Sequence, residues 1–155
     1  MRILVQKWEK YETGSKDPHT KGIAAGFFKP NVMSYIGRGT FEGRLVPGRL
    51  QTVEPSGLYY PANWKINYIP NDVEYLLDNS NQTYAWVDSF NGWDVDNAIV
   101  VGLKHKRSNI VRIIKGDFVY MGKTHLNANA HFEDEHDKEV PIKQYQVLTC
   151  TVNTK

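Results

Sequence analysis

The sequence holds a single cysteine, Cys150, so no intrachain disulfide can staple the fold, a usage that fits a reducing compartment. Its 19 Lys and Arg nearly balance 17 Asp and Glu, which leaves no field of one sign to draw in nucleic acid. Nucleic acid is therefore not an expected partner. Nowhere do apolar residues run long enough to span a bilayer, and the N-terminal Ile3-Leu4-Val5 is too short for the apolar core of a secretory signal. These absences predict a protein that is not transmembrane and is either cytoplasmic or exported by a non-classical route, where the sequon Asn81-Gln82-Thr83 would go unused.

Apolar and β-branched residues arrive in short clusters, such as Leu58-Tyr59-Tyr60, Trp64-Lys65-Ile66-Asn67-Tyr68 and Ile110-Val111-Arg112-Ile113-Ile114, with no helical spacing. Breakers separate them: Asp17-Pro18, Pro47-Gly48, Glu54-Pro55-Ser56-Gly57, Pro70-Asn71-Asp72 and Asn91-Gly92. Connections this short cannot hold crossover helices, so the pattern predicts an all-β chain of about ten strands in antiparallel sheets.

The chain also repeats itself. Trp8 matches Trp86, Ile23-Ala24-Ala25-Gly26 matches Ile99-Val100-Val101-Gly102, Arg38 matches Arg112, and Val73-Glu74-Tyr75-Leu76-Leu77 matches Tyr145-Gln146-Val147-Leu148-Thr149. The spacing between partners shrinks steadily, from 78 residues at the tryptophans to 72 at Val73 and Tyr145, as short loop deletions in a duplicated unit would cause. One domain of two tandem repeats, about 8–79 and 86–150, is expected, packed about a pseudo-two-fold axis because one small sheet cannot bury its apolar face alone. Any pocket of one repeat should then recur in the other.

The segment Ala25-Gly26 … Tyr35-Ile36-Gly37-Arg38-Gly39 … Gly43-Arg44-Leu45-Val46-Pro47-Gly48-Arg49, closed by Tyr145-Gln146-Val147-Leu148, resembles the DM9 (DM-nine) repeat family. Members of this size are similar to mannose-binding lectins and pattern-recognition proteins of invertebrates, so the resemblance implies a carbohydrate-binding protein of innate immunity with glycans as partners. It further implies one pocket per repeat, in which an acid shortly after the apolar-Gly step and the basic residue after Pro-Gly hold sugar hydroxyls. Here the acid positions carry Phe28 and Lys104, and the basic positions Arg49 and Lys123. A homodimer would supply avidity to two weak sites.

Read from the residues alone, Arg49 follows a turn-like Pro47-Gly48 that would expose its guanidinium as a donor to vicinal hydroxyls. Arg38 and Arg112 read as inter-strand partners of a carboxylate such as Glu74. Trp64, Trp86, Trp93, Tyr59 and Tyr60 could offer a face to a sugar ring, although core packing is the expected use of each. The acidic stretch from His131 to Glu139 matches neither a calcium loop nor the helical zinc spacing and reads as a solvated, charged hairpin. No catalytic or cofactor-binding signature stands out, so neither an enzyme nor a cofactor or metal is expected. The alternative is a scaffold that kept the fold and binds protein or anionic lipid, with the basic residues 104–107 as its contact.

Overall fold

The computed structural model describes residues 6–91, 93–103, 107–124, 130–134, 136 and 138–153. Seven strands build the first sheet: β1 (Trp8–Lys10), β2 (Ala24–Lys29), β3 (Val32–Phe41), β4 (Arg44–Gln51), β5 (Gly57–Ala62), β6 (Lys65–Ile69) and β7 (Glu74–Leu76). Seven more build the second: β8 (Gln82–Phe90), β9 (Val100–Val101), β10 (Ser108–Lys115), β11 (Phe118–Lys123), β12 (Ala130–Glu133), β13 (Glu139–Ile142) and β14 (Gln144–Val152). The order is β1-β7-β3-β4-β5-β6 with β2 on β3, and then β8-β14-β10-β11-β12-β13 with β9 on β10, all antiparallel. Raising each label of the first sheet by seven gives the second.

Individual hydrogen bonds repeat as well. The Ile23 N–H donates to the Leu76 carbonyl (3.2 Å) as Ile99 does to Leu148 (3.1 Å), and Asp78 donates to Lys21 (2.7 Å) as Cys150 does to Asn97 (2.9 Å). Across the interface β4 lies against β11 and β5 against β12, each strand facing its own counterpart as elements near a two-fold axis must. One core joins both sheets, with Ala25, Ile36 and Leu76 from the first packed on Ile99, Val101, Ile110 and Leu148 from the second. Burying this shared apolar surface is the main force holding the two sheets together.

Three local readings change. The chain makes more and shorter strands than the ten expected, and Asp17-Pro18 opens a five-residue helix, α1 (Asp17–Lys21), because proline suits the first helical turn. Pro47-Gly48 is not a turn but the middle of β4, paired with Arg38 and Gly37 of β3. Glycine is needed there for closeness: a Cβ on Gly48 would sit 2.6 Å from the Tyr59 carbonyl, and one on the equivalent Gly122 2.3 Å from the His131 carbonyl. Gly122→Ala is therefore expected to cost about 1–3 kcal/mol through overpacking, read as a lower urea midpoint at unchanged m-value.

The acidic stretch is also not a solvated loop throughout. Glu133 ends β12 and Glu139 opens β13, both buried, because each meets a buried cation from β4 or β11. At the tip the Asp134 carboxylate accepts the backbone N–H groups of His136 (2.8 Å) and Lys138 (2.9 Å).

Candidate functional site

The two basic residues singled out in the sequence are interior. Arg49 is 3% exposed; its Nε donates to Glu133 (2.8 Å), its Nη1 to Gln51 (2.6 Å), and its guanidinium lies between the rings of Phe28 (3.8 Å) and Tyr59 (4.3 Å). Phe28 thus fills the place where the resemblance implies an acid, and the counter-charge comes instead from the second sheet. Lys123, 5% exposed, lies 3.2 Å from Glu139 and 4.7 Å from the centre of the Tyr60 ring of the first sheet. Glu139 in turn accepts the Trp64 N–H (2.9 Å). Burial pushes the Lys123 ammonium below its usual range, opposed by Glu139, and pushes the Tyr60 phenol up to about 12. Arg49 and Lys123 are therefore ties between the sheets and not exposed turn cations; Lys104 lies outside the described residues.

Arg38 and Arg112 form a second equivalent pair. Arg38 donates to Glu74 (2.7 Å) and covers Trp8 (4.4 Å), as the sequence led one to expect of Glu74. Arg112 donates to Gln146 (2.9 Å) and to the Ala25 carbonyl (2.7 Å) and covers Trp86 (4.2 Å). Each pins an edge tryptophan to its own sheet.

A polar concavity lies elsewhere, in the second sheet. A cavity of about 310 Å³ opens between the segment from Trp93 to Ala98 and the start of β10, with Asp94, Asp96, Asn97, Arg107, Asn109 and Thr124 around it. Its floor is tied down: Asn109 donates its side-chain amide to the Ile99 carbonyl (3.0 Å) and its backbone N–H to the Thr124 hydroxyl (2.9 Å), and Thr124 donates its N–H to the Ser108 hydroxyl (3.1 Å). At the mouth Trp93 is 64% exposed, its ring 4.6 Å from Phe90. Trp64 is 68% exposed, so for both tryptophans the expected core role is replaced by a surface one, whereas Tyr60 is core. The sequence signal for this site is the cluster Trp93-Asp94-Val95-Asp96-Asn97 after the Asn91-Gly92 breaker, with Arg107 and Asn109 across from it; unlike the duplicated Gly-basic step, it has no counterpart in the first repeat.

The DM9 repeat signature matches residues 29–142. The chain belongs to the DM9 repeat family. No curated protein sequence matches it. Among solved structures it is similar to the crystal structure of the nematode sperm cell motility protein MFP2B, with a TM-score of 0.72 at 14% identity over 98% of this chain and 48% of that one. The chain thus spans about half the length of that relative, and the likeness is one of fold.

The two DM9 repeats differ at the cavity, so the expectation that every pocket recurs does not hold there. In strand register Ala24 pairs with Tyr35, and the equivalent Val100 pairs with Asn109. In the first repeat the Tyr35 ring occupies the equivalent space and is covered by His19 of α1, 5.3 Å between ring centres, with the His19 Nε2 2.9 Å from the Thr52 hydroxyl. Asparagine at 109 and a shorter connection, with no helix among its described residues, leave the second space open.

Proposed function

We propose that this DM9 repeat protein is a non-enzymatic carbohydrate-binding module of the pattern-recognition kind, and that its sugar site is the cavity beside Trp93. The observation that supports this reading is the pairing of polar side chains around the cavity with one exposed indole at its rim. Carboxylates of Asp94 and Asp96 can accept two neighbouring hydroxyls, Arg107 and the amides of Asn97 and Asn109 can donate to ring and hydroxyl oxygens, and the indole can pack on pyranose C–H groups. Such a set suits neutral sugars with vicinal hydroxyls, mannose among them. Arg49, Lys123, Arg38, Arg112 and Glu74 then act behind the site by holding the sheets and their edges in place.

The test is a glycan array followed by titration of the best ligand. Wild type should bind, and Trp93→Ala should weaken binding about tenfold, the equivalent of about 1.4 kcal/mol. No glycan bound by wild type would end the reading.

A second reading, a protein-binding scaffold, is favoured by a groove of about 470 Å³ between the sheets, where Leu45, Val100 and Leu103 are exposed beside Arg38 and Arg44. The fold likeness to a motility protein is compatible with it. An array without a sugar ligand would leave this reading standing.

A further inference from the structure

Four strands close the ends of the two sheets, and three are guarded against pairing with another chain. β1 has only three residues, two of them charged; β6 starts at Lys65 and stops before Pro70; β13 contains Pro141. Off the main paths, β2 is broken by register shifts and β9 has two residues. β8 has none of these devices. It runs nine residues without proline, glycine or lysine, carries one charge, Asp88, and pairs on one side with β14.

The direction of its backbone groups follows from the ladder. Asn153 donates to the Asn81 carbonyl (2.9 Å) and Asn91 donates to the Lys143 carbonyl (3.0 Å), so two bonded pairs of the same parity bracket the strand. Bonded pairs recur at every second residue of an antiparallel ladder, so the odd residues of β8 point at β14 and the even ones away from it. Of the outward groups, the Gln82 N–H is taken by the Asn79 carbonyl (2.9 Å) and the Phe90 carbonyl by the Trp93 N–H (3.1 Å). Among the outward groups that remain are the N–H and C=O of Tyr84, Trp86 and Asp88, six groups with no backbone partner among the described residues.

We infer that β8 pairs antiparallel with β8 of a second copy of this chain, in a register centred on Trp86. The strand is complementary to itself in that register. Tyr84 faces Asp88 of the second copy, Trp86 faces its own equivalent, and all six groups are satisfied. Asp88 meets a tyrosine and not another carboxylate, so no like charges oppose one another. On the outer face the exposed Ala85 and Val87, the latter 40% exposed, pair with each other across the seam and leave water. A shift of one residue would aim the free groups past each other, and a shift of two would leave one set unmatched. The product is one continuous sheet formed from the second sheets of both copies. A twofold contact between identical strands also closes on itself and does not propagate into a fibre. The inference is independent of any sugar binding.

The test is sedimentation equilibrium with amide hydrogen exchange. Wild type should sediment at twice 17.8 kDa, with the amides of Tyr84, Trp86 and Asp88 protected. Ala85→Lys with Val87→Lys sets lysine against lysine twice across the seam on a face exposed in the single chain, so this variant should sediment at 17.8 kDa with an unchanged circular dichroism spectrum. The matching variant with glutamate at both positions should also be single, and mixing the two should restore the double mass. A single-mass wild type, fast exchange at those three amides, or a lysine variant that keeps the double mass would overturn the inference.

Discussion

Replacing Arg49 with alanine should lower the unfolding free energy by about 3–5 kcal/mol, the usual cost of removing one half of a buried ion pair. The guanidinium joins four groups from four strands: Glu133 of β12, Gln51 of its own strand, Tyr59 of β5 and Phe28 of β2. Its removal takes the cation away from the Glu133 carboxylate, which is 1% exposed, and empties the space between two rings. For a chain of this size such a loss should lower the Tm by on the order of 10 °C. The pair Arg49→Met with Glu133→Leu should cost much less than the sum of the single changes, because it removes both charges and keeps the volume. Calorimetry of Arg49→Ala and of the four proteins of this cycle checks both statements, and an additive cycle would show that the two side chains do not act as a pair.

Asn109→Tyr should abolish sugar binding, at least a hundredfold, while the protein stays folded. The change writes the residue of the first DM9 repeat, Tyr35, into the equivalent place of the second, where its ring would stand in the cavity. The loss on the stability side is the amide bond from Asn109 to the Ile99 carbonyl, worth about 1 kcal/mol, while the backbone bond from residue 109 to Thr124 is kept. Asn109→Ala separates the causes: it makes the same deletion but leaves the space open, so it should retain measurable affinity. Equal affinity in wild type and the tyrosine variant would place the sugar elsewhere.

Much of the fold could be read from the sequence because each strand advertises itself locally. Short apolar clusters between breakers gave the all-β class, and matched residues such as Trp8 and Trp86 or Arg38 and Arg112 gave the duplication that the strand order then reproduces. Arg38 with Glu74 was legible for the same reason, since both sit on strands whose pairing the repeat implies. What failed was burial. Pro47-Gly48 looks like a turn in one dimension, yet its glycine serves the close passage of β5, and the cation after it is covered by Phe28 and by Glu133, 84 positions further along the chain. No local pattern reports a partner that distant. The same holds for Glu139, read as part of a solvated loop until Lys123 and the Trp64 N–H are seen to meet it.

The cavity was missed for a subtler reason. Symmetry of sequence suggested symmetry of sites, whereas one substitution, tyrosine against asparagine at equivalent register positions, closes one space and opens the other. If β8 also joins two copies, Phe90, on whose ring Trp93 packs, lies four residues from the centre of the seam, which at about 3.3 Å per residue sets the two tryptophans on the order of 30 Å apart. Two weak sites at that spacing would gain avidity on a surface dense in glycans.

The most direct measurement is a nitrogen-15 NMR titration with a panel of monosaccharides. Binding at the open DM9 repeat predicts that shifts gather on the Trp93 indole N–H, the Asn109 side-chain amide and the backbone of Asp94, Asp96 and Thr124, with Tyr35 and Arg49 unmoved. Shifts centred on Tyr35 and Arg49, or a spectrum that no sugar perturbs, would contradict the account.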